Sequence, residues 1–198
     1  IYKYKKDYKT HHQDGFLNLL IFGGSQGASF FSDIIPDSIN KLDNKKKSLL
    51  RVFHQVRNNE FERVKKCYHS MNVESEVKTF FYNLPELLNN SHLLISRSGA
   101  STVAEVAATK IPAIFIPFHH SIDDDQRLNT IELEKIGQVI VKNEKELDSN
   151  QLYKVIDELI EKPEILEKMA KANKEIVVNN SSEKIRSIID DLLSNREL

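Results

Sequence analysis

Three short stretches of this sequence carry residues suited to holding a phosphorylated, hydroxyl-rich small molecule. The first, Gly23-Gly24-Ser25-Gln26-Gly27-Ala28, has glycines that let a backbone come close to a ligand. No Gly-Lys-Ser/Thr follows, so it is not a Walker loop, and its glycines miss the spacing of a dinucleotide fingerprint. The second, Ser96-Arg97-Ser98-Gly99-Ala100-Ser101-Thr102, runs into Val103-Ala104-Glu105-Val106-Ala107-Ala108. At about 100° per residue, Ser101, Thr102 and Glu105 share one helical face, while Val103, Val106 and Ala107 take the other. The polar face is expected to look into a crevice. There the helix start and the Ser101 and Thr102 hydroxyls can hold a diphosphate, and Glu105, one turn on, can accept hydrogen bonds from ribose hydroxyls.

The third stretch is Pro117-Phe118-His119-His120-Ser121-Ile122-Asp123-Asp124-Asp125-Gln126-Arg127-Leu128-Asn129. Its three aspartates permit a metal site, but they also suit a helix start, where Asp caps free amides and matches the dipole. The cap is the expected reading, and no metal ligand is assigned. Gln126, one turn in, can offer its amide to sugar hydroxyls. His119 and His120 are capable of metal binding or proton transfer, yet neighbouring side chains point apart, and neither receives a role.

These loops need elements to hold them. Apolar runs at 16–22, 49–56, 77–82, 92–96, 112–117 and 138–141 read as strands. Between them, 28–42, 59–71, 85–89, 102–109 and 125–136 read as helices, with a break or kink expected at Pro36. Three more helices close the chain, around 152–160, 164–178 and 185–193. Lys45-Lys46-Lys47 reads as a solvated turn. Strands that are apolar without alternation, separated by helices, imply an α/β fold: a Rossmann-like parallel sheet of about six strands with helices on both faces. Such sheets bind ligands beyond the carboxyl ends of their strands, where the three loops fall.

Composition bounds the rest. The 198 residues suit a domain that needs no staple, and 28 basic against 29 acidic residues leave a net charge of −1. That balance gives no global attraction to nucleic acid. The single cysteine, Cys67, excludes an internal disulfide or cysteine-rich zinc site and reads as an ordinary thiol. No apolar run approaches the ~20 residues that span a bilayer, so a soluble, cytoplasmic protein is expected. The chain starts at Ile1 and opens on a Lys/Tyr/His-rich stretch. Residues 1–15 therefore read as a linker remnant of a longer protein, and 16–198 as its ligand-binding domain.

GGSQGA, SRSGASTVAEVAA and PFHHSIDDDQRLNT, in this order, resemble the C-terminal half of the MurG family. These are bacterial transferases that add N-acetylglucosamine to the lipid-linked muramoyl-pentapeptide precursor of peptidoglycan. The resemblance implies one half of a B-type glycosyltransferase fold that binds UDP-N-acetylglucosamine and transfers the sugar with inversion, without a cofactor. It implies donor contacts at Gly24, Ser25, Gln26, Gly27, Ser98, Gly99, Ala100, Ser101, Thr102, Glu105 and Gln126. Phe80 and Phe81 fall where the family passes backbone groups to uracil. Asp125 stands where the family usually has Gln or His, and Asn129-Thr130 where it tends to have Asn-Ala. The family's acceptor site for lipid I, its general base and its contact with the cytoplasmic face of the membrane belong to its N-terminal half. Two other readings stay open at this point: the cytosolic half of a dolichol-linked N-acetylglucosamine transferase, and a non-catalytic nucleotide-sugar-binding domain.

Overall fold

The computed structural model of the chain describes Tyr8 and residues 15–24, 29–119, 124–173 and 186–191. Its strands are β1 (Leu17–Phe22), β2 (Leu50–Gln55), β3 (Glu74–Lys78), β4 (Leu93–Ser96), β5 (Ala113–Phe115) and β6 (Val139–Val141). All pair in parallel, in the order β3-β2-β1-β4-β5-β6. The helices are α1 (Ser29–Asn40), α2 (Asn44–Ser48), α3 (Phe61–Ser70), α4 (Leu84–Asn90), α5 (Ala100–Thr109), α6 (Asp125–Leu128), α7 (Ile131–Lys135), α8 (Ser149–Glu161) and α9 (Pro163–Ala172). Among the described residues no helix is long and apolar enough to cross a membrane.

The absence of alternation in the central strands follows from burial on both sides. Leu19, Ile21, Leu93, Ile95 and Ile114 face one way and pack with α1, α3, α8 and α9. Leu20, Phe22, Leu94, Ala113 and Phe115 face the other way and pack with α4, α5 and α7. Register aligns Leu19 with both Val52 and Leu93, and Ile95 with Ile114, so each layer is continuous across the sheet. The strand order reverses direction between β1 and β4. That junction opens a crevice outside the carboxyl ends of these two strands, beside the loops that follow β1, β4 and β5.

Several expectations need correction. The third strand runs earlier than 77–82: β3 is an edge strand paired through Arg51↔Glu74 to Gln55↔Lys78. The aromatic run after it leaves the sheet, with Phe81 buried in the core and Phe80 and Tyr82 exposed. Pro36 neither breaks nor splits α1. Its missing N–H leaves the Ser32 carbonyl without its helical donor, and the Arg63 guanidinium donates there at 3.4 Å. The single helix expected at 125–136 is two: Asn129 and Thr130 keep a right-handed helical backbone, but the Thr130 N–H and hydroxyl both donate to the Arg127 carbonyl, at 3.1 Å and 2.7 Å, a tighter turn that separates α6 from α7. The Lys45-Lys46-Lys47 run is not a loose turn but lies in α2, capped by Asp43. Lys46 reaches Asp157 and Glu161 of α8.

Elsewhere, Tyr8, from the stretch read as linker, donates from its hydroxyl to the His92 carbonyl at 2.9 Å and packs on the core. Of the closing helices, α8 starts with a reciprocal cap between Asp148 and Gln151. Residues 186–191 are helical, with Ile188 and Ile189 exposed; the rest of that expected helix lies outside the described residues.

One buried group gives the fold a pH dependence. His54 is fully enclosed, with Nδ1 2.9 Å from the Tyr68 hydroxyl, and burial pushes its imidazole from 6.5 down to about 3. The unfolded chain therefore binds a proton that the folded chain refuses between those two values. The stability this histidine supplies is complete above about pH 6.5 and declines below it, by up to ~1.4 kcal/mol per pH unit. Urea unfolding at descending pH is expected to show this slope, and His54→Gln is expected to flatten it.

Candidate functional site

The site is built from the ends of β1, β4 and β5. At β1, Gly24 has φ of 88°, a conformation glycine adopts without strain, and its carbonyl accepts from Gln55 Nε2 at 3.3 Å. Ser25, Gln26, Gly27 and Ala28 lie outside the described residues.

At β4, the backbone passes through Gly99 into α5, whose first intrahelical bond runs from Val103 N–H to the Gly99 carbonyl at 3.0 Å. The Ala100, Ser101 and Thr102 amides precede that bond, and among the described residues no side chain caps the helix. A Cβ added at Gly99 meets nothing within 4 Å, so open space lies in front of it. Ser101 is exposed, whereas Thr102 is 8% exposed. Ser98 is fully buried and its hydroxyl donates to the Gln126 carbonyl at 2.7 Å, so its side chain serves the scaffold and only its backbone is available to a ligand. Phe81 likewise keeps its ring in the core, between the exposed rings of Phe80 and Tyr82.

Glu105 sits one turn into α5, half-buried, and burial pushes its carboxyl above the ordinary range. Among the described residues no donor reaches that carboxylate. A ligand hydroxyl placed there would provide a donor that the described residues do not.

At β5, Gln126 on α6 accepts through Oε1 from the Phe118 N–H at 3.0 Å, which orients its amide nitrogen away from that bond. Asp125, the first residue of α6, accepts from the N–H of its neighbour Gln126 at 2.8 Å, while Asp124 at the N-cap has a left-handed backbone and makes no side-chain cap bond, so the capping expected of the aspartates is not seen at the described ones. Asn129 Nδ2 donates to the Ser98 carbonyl at 3.1 Å, so α6 is stitched to the loop after β4. Asp123 and His120 lie outside the described residues, and among those described no three His, Cys, Asp or Glu side chains gather as a metal site.

Sequence reasoning missed the group that joins these pieces. Arg97 is 8% exposed at the end of β4. It donates from Nη1 to the carbonyls of Ile116 (2.9 Å) and Pro117 (3.2 Å), and from Nη2 to Glu144 at 2.6 Å. Its Cζ also lies 5.0 Å, 5.3 Å and 5.6 Å from the ring centroids of Phe31, Phe118 and Phe30. Burial alone would push the Glu144 carboxyl up, but hydrogen bonds from Arg97 and His119 outweigh it and hold the group below the ordinary range. A long cation set among small residues, directly after a buried strand, is the one signal for Arg97 that the sequence offered. Beside this knot opens a cavity of about 650 Å³, whose wall includes Phe118, His119, Asp124, Arg127 and Lys142.

A doubly wound parallel sheet whose loops gather outside the carboxyl ends of β1, β4 and β5 defines a Rossmann-like fold. Residues 18–192 match the glycosyltransferase family 28 C-terminal domain, and the chain belongs to that family.

Among curated relatives, it is 37% identical over 181 residues to the UDP-N-acetylglucosamine--N-acetylmuramyl-(pentapeptide) pyrophosphoryl-undecaprenol N-acetylglucosamine transferase of Bartonella quintana, covering 91% of this chain and 48% of that protein. The namesake of Caulobacter vibrioides is 38% identical over 174 residues, covering 88% of this chain and 48% of that one. The chain thus spans about half the length of the curated relatives it matches. Among solved structures, Acinetobacter baumannii MurG superposes with a TM-score of 0.81 at 26% identity, over 90% of this chain and 53% of that one. The UDP-GlcNAc 2-epimerase of Neisseria meningitidis, bound to UDP-GlcNAc, shares the fold alone, with a TM-score of 0.59 at 20% identity, over 93% of this chain and 46% of that one.

Removing Arg97 leaves Glu144 buried without its cation and two carbonyls without their donor. Arg97→Ala is expected to cost about 3–5 kcal/mol in urea unfolding. Arg97→Lys, which keeps the charge but not the planar fork, is expected to recover only part of that loss.

Proposed function

We propose that this chain is the donor-binding half of a transferase that moves N-acetylglucosamine from UDP to lipid I, giving lipid II for peptidoglycan. The half-buried Glu105 carboxylate, raised by burial and lacking a donor among the described residues, carries this reading. It stands one turn behind the uncapped amides of α5, so anion-binding and hydroxyl-binding groups follow one another along one helix. A UDP-sugar presents a diphosphate and then a ribose diol in that order.

In this reading the sugar is displaced directly, with inversion at its anomeric carbon. The first turn of α5 stabilises the charge that develops on the departing UDP, through amides already oriented before reaction. Gly24, Ser25, Gln26 and Gly27 serve the diphosphate and sugar, and the Gln126 amide reads sugar hydroxyls. Backbone groups beside Phe81 meet the base. The acceptor, the general base and contact with the cytoplasmic face of the membrane fall to the other half found in the longer relatives. Family membership and the shared identity with the curated transferases support the assignment.

Calorimetric titration of UDP-N-acetylglucosamine into the chain tests it. Hydrogen bonds to a charged carboxylate contribute about 1.5–3 kcal/mol. Glu105→Ala is accordingly expected to bind about tenfold to a hundredfold more weakly. Equal affinities would take Glu105 out of the site.

A further inference from the structure

Glu144 lies on the loop after β6, yet the groups it holds belong to β4 and β5. Oε1 accepts from Arg97 Nη2 at 2.6 Å, while Oε2 meets the His119 backbone N–H at 3.2 Å and His119 Nδ1 at 2.7 Å. The Glu144 side chain is 9% exposed, so little water competes for either oxygen. One residue earlier in the same segment, the Phe118 N–H donates to Gln126 Oε1 at 3.0 Å. Adjacent amides, Phe118 and His119, are therefore held by different side chains, one by Gln126 and one by Glu144. The position of this segment decides where the Gln126 carbonyl oxygen sits, and with it the direction of the amide nitrogen.

We propose that Glu144 is a positioning residue for the sugar end of the donor: its hold on His119 fixes the Phe118–His119 segment and so aims the Gln126 amide into the crevice. The inference rests on the donor-binding reading. It concerns the sugar and not the nucleotide because Gln126 is on α6, whereas the uncapped amides and Glu105 are on α5. Glu144 has two arms, and they can be cut separately. In Glu144→Gln the amide oxygen still accepts from Arg97, but the amide nitrogen cannot accept from the His119 N–H.

The test compares calorimetric affinities for UDP and UDP-N-acetylglucosamine in the whole chain and its variants. In the unchanged chain the sugar is expected to tighten binding relative to UDP. Glu144→Gln is expected to shrink that gain by about threefold to tenfold, the worth of one hydrogen bond, while leaving UDP affinity unchanged. His119→Asn, which keeps a side-chain donor toward Glu144, is expected to retain more of the gain than His119→Ala; these two decide the matter if thermal unfolding shows that Glu144→Gln does not fold.

An undiminished gain in Glu144→Gln, or equal weakening of both ligands, overturns the proposal. So does an unchanged chain that binds both ligands equally, although nucleotide binding would then stand. If the unchanged chain binds neither, the donor-binding reading itself fails.

Discussion

The open end of this sheet is organised around a guanidinium that has been taken out of water. Arg97 is an expensive residue to bury, and its desolvation is offset only because every face of it is used: two carbonyls at the end of β5, one carboxylate and three aromatic rings. A lysine has one point of charge and no flat surface, so it could not satisfy this set. The geometry imposed is as important as the energy. A planar fork fixes the relative placement of β4, β5, α1 and the loop after β6, and the helix bearing Glu105 starts from the same turn. The loops after β4, β5 and β6 thus hang from one rigid knot.

Much of the fold was legible because burial on both faces leaves a strong mark. β1, β4 and β5 are short apolar runs flanked by small or polar residues, and their succession with helices leaves only a parallel sheet. What misled the reading was local. The run Phe80-Phe81-Tyr82 has strand composition, but one ring plugs the core while its neighbours turn outward. Pro36 is a helix breaker by propensity, yet tertiary packing and a borrowed donor from Arg63 override it.

The site was legible to the extent that its residues are contiguous. Glu105 could be placed from helical spacing, since its neighbours are small or apolar. Glu144 could not, because its partners lie on loops that topology alone brings close. Ser98 shows the reverse failure: a hydroxyl in a promising loop proves to be a buried strut. The electrical order along α5, positive helix start and then negative carboxylate, spans about 7.5 Å from Ala100 to Glu105. A ligand with one anionic group and no hydroxyls at that distance would satisfy the first and leave the second bare.

The borders of the sheet have their own consequence. β3 carries Glu74, Glu76 and Lys78 along its length, with Arg51 closing over Glu74, and β6 spans only Val139–Val141. Neither rim is a template on which a foreign segment could zip itself through main-chain pairing, since one is fenced with charge and the other is too short. A companion domain would instead dock through loops or helix surfaces, which leaves the sheet's width fixed and the carboxyl ends of its strands open.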